Sequence, residues 1–117
     1  MVISEHSSVT REYAAGFFDG EGSIGIYPTT FDGRDRYYLR TQITQSVNAL
    51  STELLTALRA LHGGNLSLIT GARANKVYNW QLNSYKAAKF LTWLEPHLRL
   101  KRDQAQLAIA GKSSDRR

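Results

Sequence analysis

Two glycines four residues apart, Gly16 and Gly20, sit within a stretch that otherwise reads as a helix, Tyr13 to Gly22 (YAAGFFDGEG). Positions four apart share a helix face, and each interior glycine costs about 1 kcal/mol relative to alanine. A small-residue face of this kind, with Ala14 and Ala15 beside it, is accounted for when another backbone approaches closely. The segment is flanked by charge and is too short to span a bilayer. The expected partner is therefore a protein helix in water, and a second copy of the same face is the simplest one.

The end of that helix carries a second constraint. Asp19 and Glu21 stand where Gly20 and Gly22 are expected to end it, with the helix running to about Asp19. A helix C-terminus already bears the negative end of the macrodipole, so two carboxylates there call for a cation. Oxygen ligands of this type suit a hard divalent ion such as Mg²⁺. If the small face packs on its own copy, two such sites lie side by side, an arrangement suited to hydrolysing two phosphodiesters.

The rest of the chain alternates hairpins and helices. Ser7, Ser8 or Thr10 can cap the first helix, with Glu12 in its first turn. Ser23 to Tyr27 reads as a short strand, with Ile24 and Ile26 facing inward, and Pro28 to Asp35 as a hairpin connection. From Arg36 to Gln45 polar and apolar residues alternate: Arg36, Tyr38, Arg40, Gln42 and Thr44 share one face, and Tyr37, Leu39, Thr41 and Ile43 the other. A strand of that length spans roughly 33 Å, close to one turn of duplex DNA. Ser51 to Leu61 is the next helix, its stripe formed by Leu50, Leu54, Leu58 and Leu61 and touched by Leu55 and Ala57, and Gly63-Gly64 stops it. A second hairpin pairs Asn65–Thr70 with Lys76–Asn83 across a loop of residues 71–75. Its inward residues are Leu66, Leu68, Tyr78, Trp80 and Leu82. Ser84 is expected to cap a third helix ending at Glu95-Pro96, and a last helix runs from His97 or Leu98 to about Gly111 with Leu100, Leu107 and Ile109 apolar. Met1–Ser8 and Lys112–Arg117 read as polar, flexible ends.

At 117 residues the chain is long enough for one core and is read as a single domain over residues 1–117. Fifteen Lys and Arg against ten Asp and Glu give a net charge of +5, which suits a polyanionic partner. The absence of cysteine excludes disulfides and thiolate metal sites. His6, His62 and His97 lack metal-ligand spacing. No signal peptide, transit peptide or transmembrane run is legible, so an intracellular protein without a membrane or small-molecule cofactor is expected.

The order helix, hairpin, helix, hairpin, helix, helix implies an α+β fold: a four-stranded antiparallel sheet with helices on one face. Nothing in the chain covers the other face, which bears Arg, Gln, Asn, Ser and Tyr. Such a surface fits the major groove of DNA, whose base edges Arg and Gln discriminate. Its expected DNA-facing residues are Ser23, Gly25, Tyr27, Thr29, Arg34, Arg36, Tyr38, Arg40, Gln42 and Thr44 from the first hairpin. Asn65, Ser67, Ile69, Arg73, Lys76, Val77, Asn79 and Gln81 are expected from the second.

Ala14 to Gly22 resembles a LAGLIDADG motif, with Asp19-Gly20-Glu21-Gly22 in place of its final Asp-Ala-Asp-Gly. The chain as a whole resembles single-motif LAGLIDADG homing endonucleases, characteristically intron-encoded, whose fold is αββαββα and which work as homodimers on double-stranded DNA. Two further stretches carry the resemblance. Gln42-Ile43-Thr44-Gln45 looks like the end of the family's long second strand, and Leu94 to Lys101 (LEPHLRLK) like the segment that delivers its active-site lysine. The resemblance implies that Glu21 binds metal together with the Gly20 carbonyl, and that Asp19 serves either as a further metal contact or in a capping or structural role. It implies that Gln45 organises the attacking water and that Lys101 supports that water or offsets phosphate charge. Tyr13, Ala14, Gly16, Phe17 and Gly20 would form the dimer seam. Glutamate stands at Glu21 where aspartate is more familiar, which moves the carboxylate outward. No arginine occurs around Asn48–Ser51, so Lys101 acts alone or with Arg99 or Arg102. The implied activity is Mg²⁺-dependent cleavage of a near-palindromic site, with Mn²⁺ or Ca²⁺ able to substitute in binding. The alternatives are a nucleic-acid-binding module of the same fold without cleavage, either an RNA maturase or a DNA-binding regulator, and a homodimer whose motif helix is only a packing seam.

Overall fold

The computed structural model describes residues 9–70 and 75–115. Ser7 and Ser8, Arg73, most of the second hairpin loop and the last residues of the tail lie outside them. The elements follow the expected order: α1 (Arg11–Glu21), β1 (Gly22–Phe31), β2 (Arg34–Ser46), α2 (Ala49–His62), β3 (Asn65–Thr70), β4 (Lys76–Asn83), α3 (Ser84–Leu94), a 3₁₀ turn (Glu95–His97) and α4 (Arg102–Asp115). The sheet is antiparallel in the order β1-β2-β4-β3, which places the two hairpins side by side. No helix among the described residues is long and apolar enough to cross a membrane.

The core lies between the sheet and the helices. Leu39, Ile43, Trp80 and Leu82 project from the sheet onto Ala14, Ala15 and Phe18 of α1, Leu55 and Leu58 of α2 and Phe90, Leu91 and Leu94 of α3. Phe90 is its hub, meeting Phe18 edge-on at 5.7 Å and Trp80 at 5.2 Å. The alternation read along β2 is reproduced, with Leu39, Thr41 and Ile43 buried and their even-numbered neighbours outside, although Tyr37 is exposed toward the strand end.

Several local expectations change. β1 does not stop at Tyr27: it continues through Pro28 to Phe31, paired with β2 down to Phe31–Arg34. Proline is tolerated because β1 is an edge strand, where a missing N–H breaks no interior ladder. The connection shrinks to Asp32-Gly33, both at positive φ (55° and 74°), as a two-residue type I′ turn requires. The α1 helix begins at a Thr10 cap, whose hydroxyl accepts the Tyr13 amide at 3.1 Å, and ends at Glu21 rather than Asp19. There the Gly22 amide bonds the Phe18 carbonyl, and a Cβ on Gly22 would overlap the Phe18 ring.

The stripe of α2 is centred on Leu58 with Leu55 and Ala57, which the sequence also placed beside it, and not on its two end leucines. Leu50 and Leu61 are exposed, while Ser51, Leu55, Ala57 and Leu58 are buried. An Asn48–Ser51 capping box sets that orientation: each side chain bonds the other's backbone amide, at 2.9 and 3.0 Å. Ser51 Oγ also donates to the Ser46 carbonyl, pinning the end of β2. Leu68 and Ile26, expected inside, are half exposed at the sheet margins. Ser84 is the first residue of α3, after an Asn83 N-cap position, and makes no side-chain cap.

The last helix starts later than expected, at Arg102. Pro96 turns the chain after α3, and residues 98–101 stay extended or bent because Asp19 takes two of their amides. Leu98 and Ala105 reach the core, whereas Leu100 and Leu107 are exposed.

His62, at the end of α2, lies against Phe90 and Trp93 with ring centroids at 4.8 and 4.6 Å. Its Nε2 is buried without a hydrogen bond. Burial, and then the positive charge of Lys89, hold its pKa below the usual histidine value. The unfolded chain therefore binds the proton more readily, and stability contributed by neutral His62 is lost as pH falls through about 6.5. Denaturant unfolding between pH 8 and 5 should show that decline, and His62→Phe should flatten it.

Candidate functional site

Three distant stretches meet at the C-terminal end of α1. Gln45, near the end of β2, donates its side-chain amide to Glu21 Oε1 at 3.0 Å and to the Thr44 carbonyl at 3.0 Å. Lys101 Nζ donates to the Asp19 carbonyl at 2.6 Å. Glu21, Gln45 and Lys101, singled out by the resemblance, are thus gathered within one turn of helix. Glu21 is exposed, and its other carboxylate oxygen makes no hydrogen bond among the described residues, while Gln45 and Lys101 are half-buried beside it.

Asp19 has a different part. Its Oδ2 accepts the Arg99 amide at 2.7 Å and its Oδ1 the Lys101 amide at 3.0 Å, and the side chain is only 9% exposed. Each oxygen accepts one backbone amide, so the side chain clamps residues 99 and 101, in line with the structural role that the resemblance allowed. Burial alone would raise its pKa, but hydrogen bonds from Arg99, Lys101 and Leu100, with the Lys101 charge, bring it below the usual aspartate value.

The fit of a divalent ion rests on the donors that remain. Glu21 offers a carboxylate oxygen at the negative end of α1, next to the Gly20 carbonyl. One carboxylate, a carbonyl and water are an oxygen set that Mg²⁺ accepts. Among the described residues no cluster of three or more His, Cys, Asp or Glu exists. Arg102 is turned away from this centre, bonded to the Pro96 carbonyl at 2.8 Å and 3.8 Å from Glu95, which leaves Lys101 as the lysine at the helix end.

The outward side of α1 carries Tyr13, Gly16, Phe17 and Gly20. Tyr13 is exposed, and Cβ atoms built on Gly16 and Gly20 meet nothing within 4 Å. Ala14 is corrected: it is 1% exposed and belongs to the chain's own core. Beside this face runs a groove of about 440 Å³, whose apolar walls include Val9, Leu50 and Leu54. Leu50, which stays outside the core, lines it, whereas Leu61 lies elsewhere.

The uncovered face of the sheet bears the expected residues in register. Ser23, Gln42, Gln81 and Asn65 form one cross-strand row, and Thr44, Asn79 and Ser67 the next. Gln81 Nε2 donates to Gln42 Oε1 at 3.3 Å. Toward the far end come Tyr27 opposite Tyr38, Thr29 opposite Arg36, and Arg34 opposite Phe31. Gly25 lies opposite Arg40, and Ile69 opposite Val77. Lys76 is corrected, since its parity puts it with Tyr78 and Trp80 on the helix side. Asn83 was missed: opposite Arg40, it accepts from Arg40 Nε at 3.0 Å. The same alternation that placed Asn79 and Gln81 outward, carried one step further, reaches it.

This backbone is similar to solved structures. That of the homing endonuclease I-CvuI, in complex with its target in the presence of Ca, matches with a TM-score of 0.69 and 17% identity, over 95% of this chain and 69% of that one. The archaeal intron-encoded homing endonuclease I-Vdi141I, complexed with DNA, matches with a TM-score of 0.63 and 22% identity, over 88% of this chain and 66% of that one. The LAGLIDADG homing endonuclease I-LtrWI, bound to target DNA, matches with a TM-score of 0.68 and 16% identity, over 94% of this chain and 38% of that one. No protein-family model and no curated protein matches the sequence. The chain has the fold of the LAGLIDADG homing endonucleases.

Proposed function

We propose that this protein is a homodimeric, site-specific endonuclease that hydrolyses both strands of a near-palindromic DNA target with a divalent metal, Mg²⁺ in the ordinary case. The observation that carries the reading is the convergence of Glu21, Gln45 and Lys101 on one helix end, with Gln45 bonded to Glu21 and Lys101 to the Asp19 carbonyl. This helix end lies beside the end of β2, in a sheet whose free face is polar.

Glu21 and the Gly20 carbonyl would hold the metal, which when bound supplies Lewis-acid charge at the scissile phosphate. Gln45 fixes the Glu21 carboxylate and has a polar side chain placed to orient a water. Lys101 brings a positive charge to offset that developing on the phosphate oxygens. Its ammonium is held by the Asp19 carbonyl, so it needs no reorganisation to act. Dimerisation through Tyr13, Gly16, Phe17 and Gly20 sets two such centres about a two-fold axis, one for each strand.

The seam is testable through the monomer. Gly16→Leu meets open space within one chain, and it removes a helix-interior glycine worth up to about 1 kcal/mol. The variant should unfold at an equal or higher temperature when dilute, yet sediment as a monomer where the wild type is a dimer. A dimeric variant would remove α1 from the interface.

The function itself is tested by incubating a randomised duplex library with the protein and Mg²⁺ and sequencing the cut ends. A near-palindromic consensus cut on both strands is the expected result. Enrichment of bound but uncut duplexes, in Mn²⁺ as well, would make this a binding module of the same fold. No enrichment at all would overturn a role on DNA.

A further inference from the structure

Three arginines lie on the outward face of β2, and only Arg40 is held in place. Its Nε donates to Asn83 Oδ1 at 3.0 Å and its Nη2 to the Tyr38 hydroxyl at 2.8 Å. Its guanidinium carbon lies 4.7 Å from the Tyr27 ring centroid and 5.4 Å from that of Tyr38, and the two rings stack at 5.8 Å. Arg34 and Arg36 have no such partners among the described residues.

All four contacts to Arg40 come from neutral groups. No carboxylate pairs with it, so its charge is uncompensated within the described chain. The two hydrogen bonds occupy the Nε side of the guanidinium. Nη1 makes no hydrogen bond among the described residues and Nη2 keeps a second N–H beside the one given to Tyr38, so both terminal nitrogens retain donors for a ligand. Arginine offers such a fork to two acceptors in one plane, and its rotamer entropy has here been lost before any ligand arrives. In the major groove the matching pair of acceptors is O6 and N7 of guanine.

We infer that Arg40 is a fixed guanine reader, one in each half-site, with Tyr38, Asn83 and Tyr27 as its positioning residues. The inference rests on the proposed function and deepens it. Arg40 stands five residues along β2 from Gln45, about 17 Å at strand spacing, so the guanine falls within roughly five base pairs of the cleaved bond. The other polar residues of the face, with fewer restraints, discriminate less sharply.

The test is a binding selection from a randomised duplex library in Ca²⁺, run in parallel with wild type, Arg40→Gln, Arg40→Lys and Asn83→Ala. Wild type should enrich one symmetric guanine per half-site. Arg40→Gln should erase that preference, by ten-fold or more, or turn it to adenine, while every other enriched position persists. Arg40→Lys and Asn83→Ala should weaken the same position alone, the second by freeing the fork without removing it. Uniform loss of affinity across all sequences would assign Arg40 to a phosphate and overturn the inference, as would an unchanged consensus. A wild type that enriches no sequence would instead overturn the proposed function beneath it.

Discussion

Glu21→Gln should bind the selected duplex as tightly as wild type and cut it at least about a thousandfold more slowly. The exchange keeps size and most hydrogen-bonding geometry but removes the charge that a divalent ion needs. It also relieves a carboxylate at the negative end of α1, so unfolding should shift, if at all, toward higher stability. Single-turnover cleavage in Mg²⁺, beside equilibrium binding in Ca²⁺, separates the two effects. Equal losses of binding and cutting would point to a structural role for Glu21. Unchanged cutting would remove it from the active centre.

Asp19→Ala should be the more damaging change to the fold. Two charge-assisted hydrogen bonds disappear, and the amides of Arg99 and Lys101 lose their acceptor at a part-buried site. Such a loss costs about 3 kcal/mol. Because Lys101 is presented by the same clamp, cleavage should fall even under conditions where the variant is folded. Asp19→Asn is not a rescue, since one carboxylate oxygen becomes an NH₂ facing an N–H donor. The pH response follows from the lowered pKa: the contribution of Asp19 is fully present above about pH 3.8 and is lost as pH falls through its folded value. Urea titrations of wild type and variant from pH 6 to 2.5 should therefore converge at the acid end.

Much of this was legible in the chain. The alternation along β2 and β4 placed the core-facing and outward residues, because a side-chain period of two admits only two answers and apolar residues select one. The small-residue helix ending in acids marked the centre of the site. What the chain did not display were features set by partners far away in sequence. Asp19 reads as a second acid beside Glu21, and only the return of residues 99–101, eighty positions later, makes it a clamp. The start of α4 moved for the same reason. In α2 the leucine spacing alone allowed two rotations, and the Asn48–Ser51 box selected the one that leaves Leu50 and Leu61 outside. Ala14 was assigned to the seam on its size, yet the chain's own core uses small residues on α1 as well.

The strict division of β2 into inward and outward positions has an evolutionary consequence. Leu39, Thr41 and Ile43 secure the sheet to its helices, while Arg36, Tyr38, Arg40, Gln42 and Thr44 contribute almost nothing to that attachment. On the proposed function, stability and recognition rest on separate, interleaved positions of one strand, so outward residues can change with the target while the inward set continues to hold the fold.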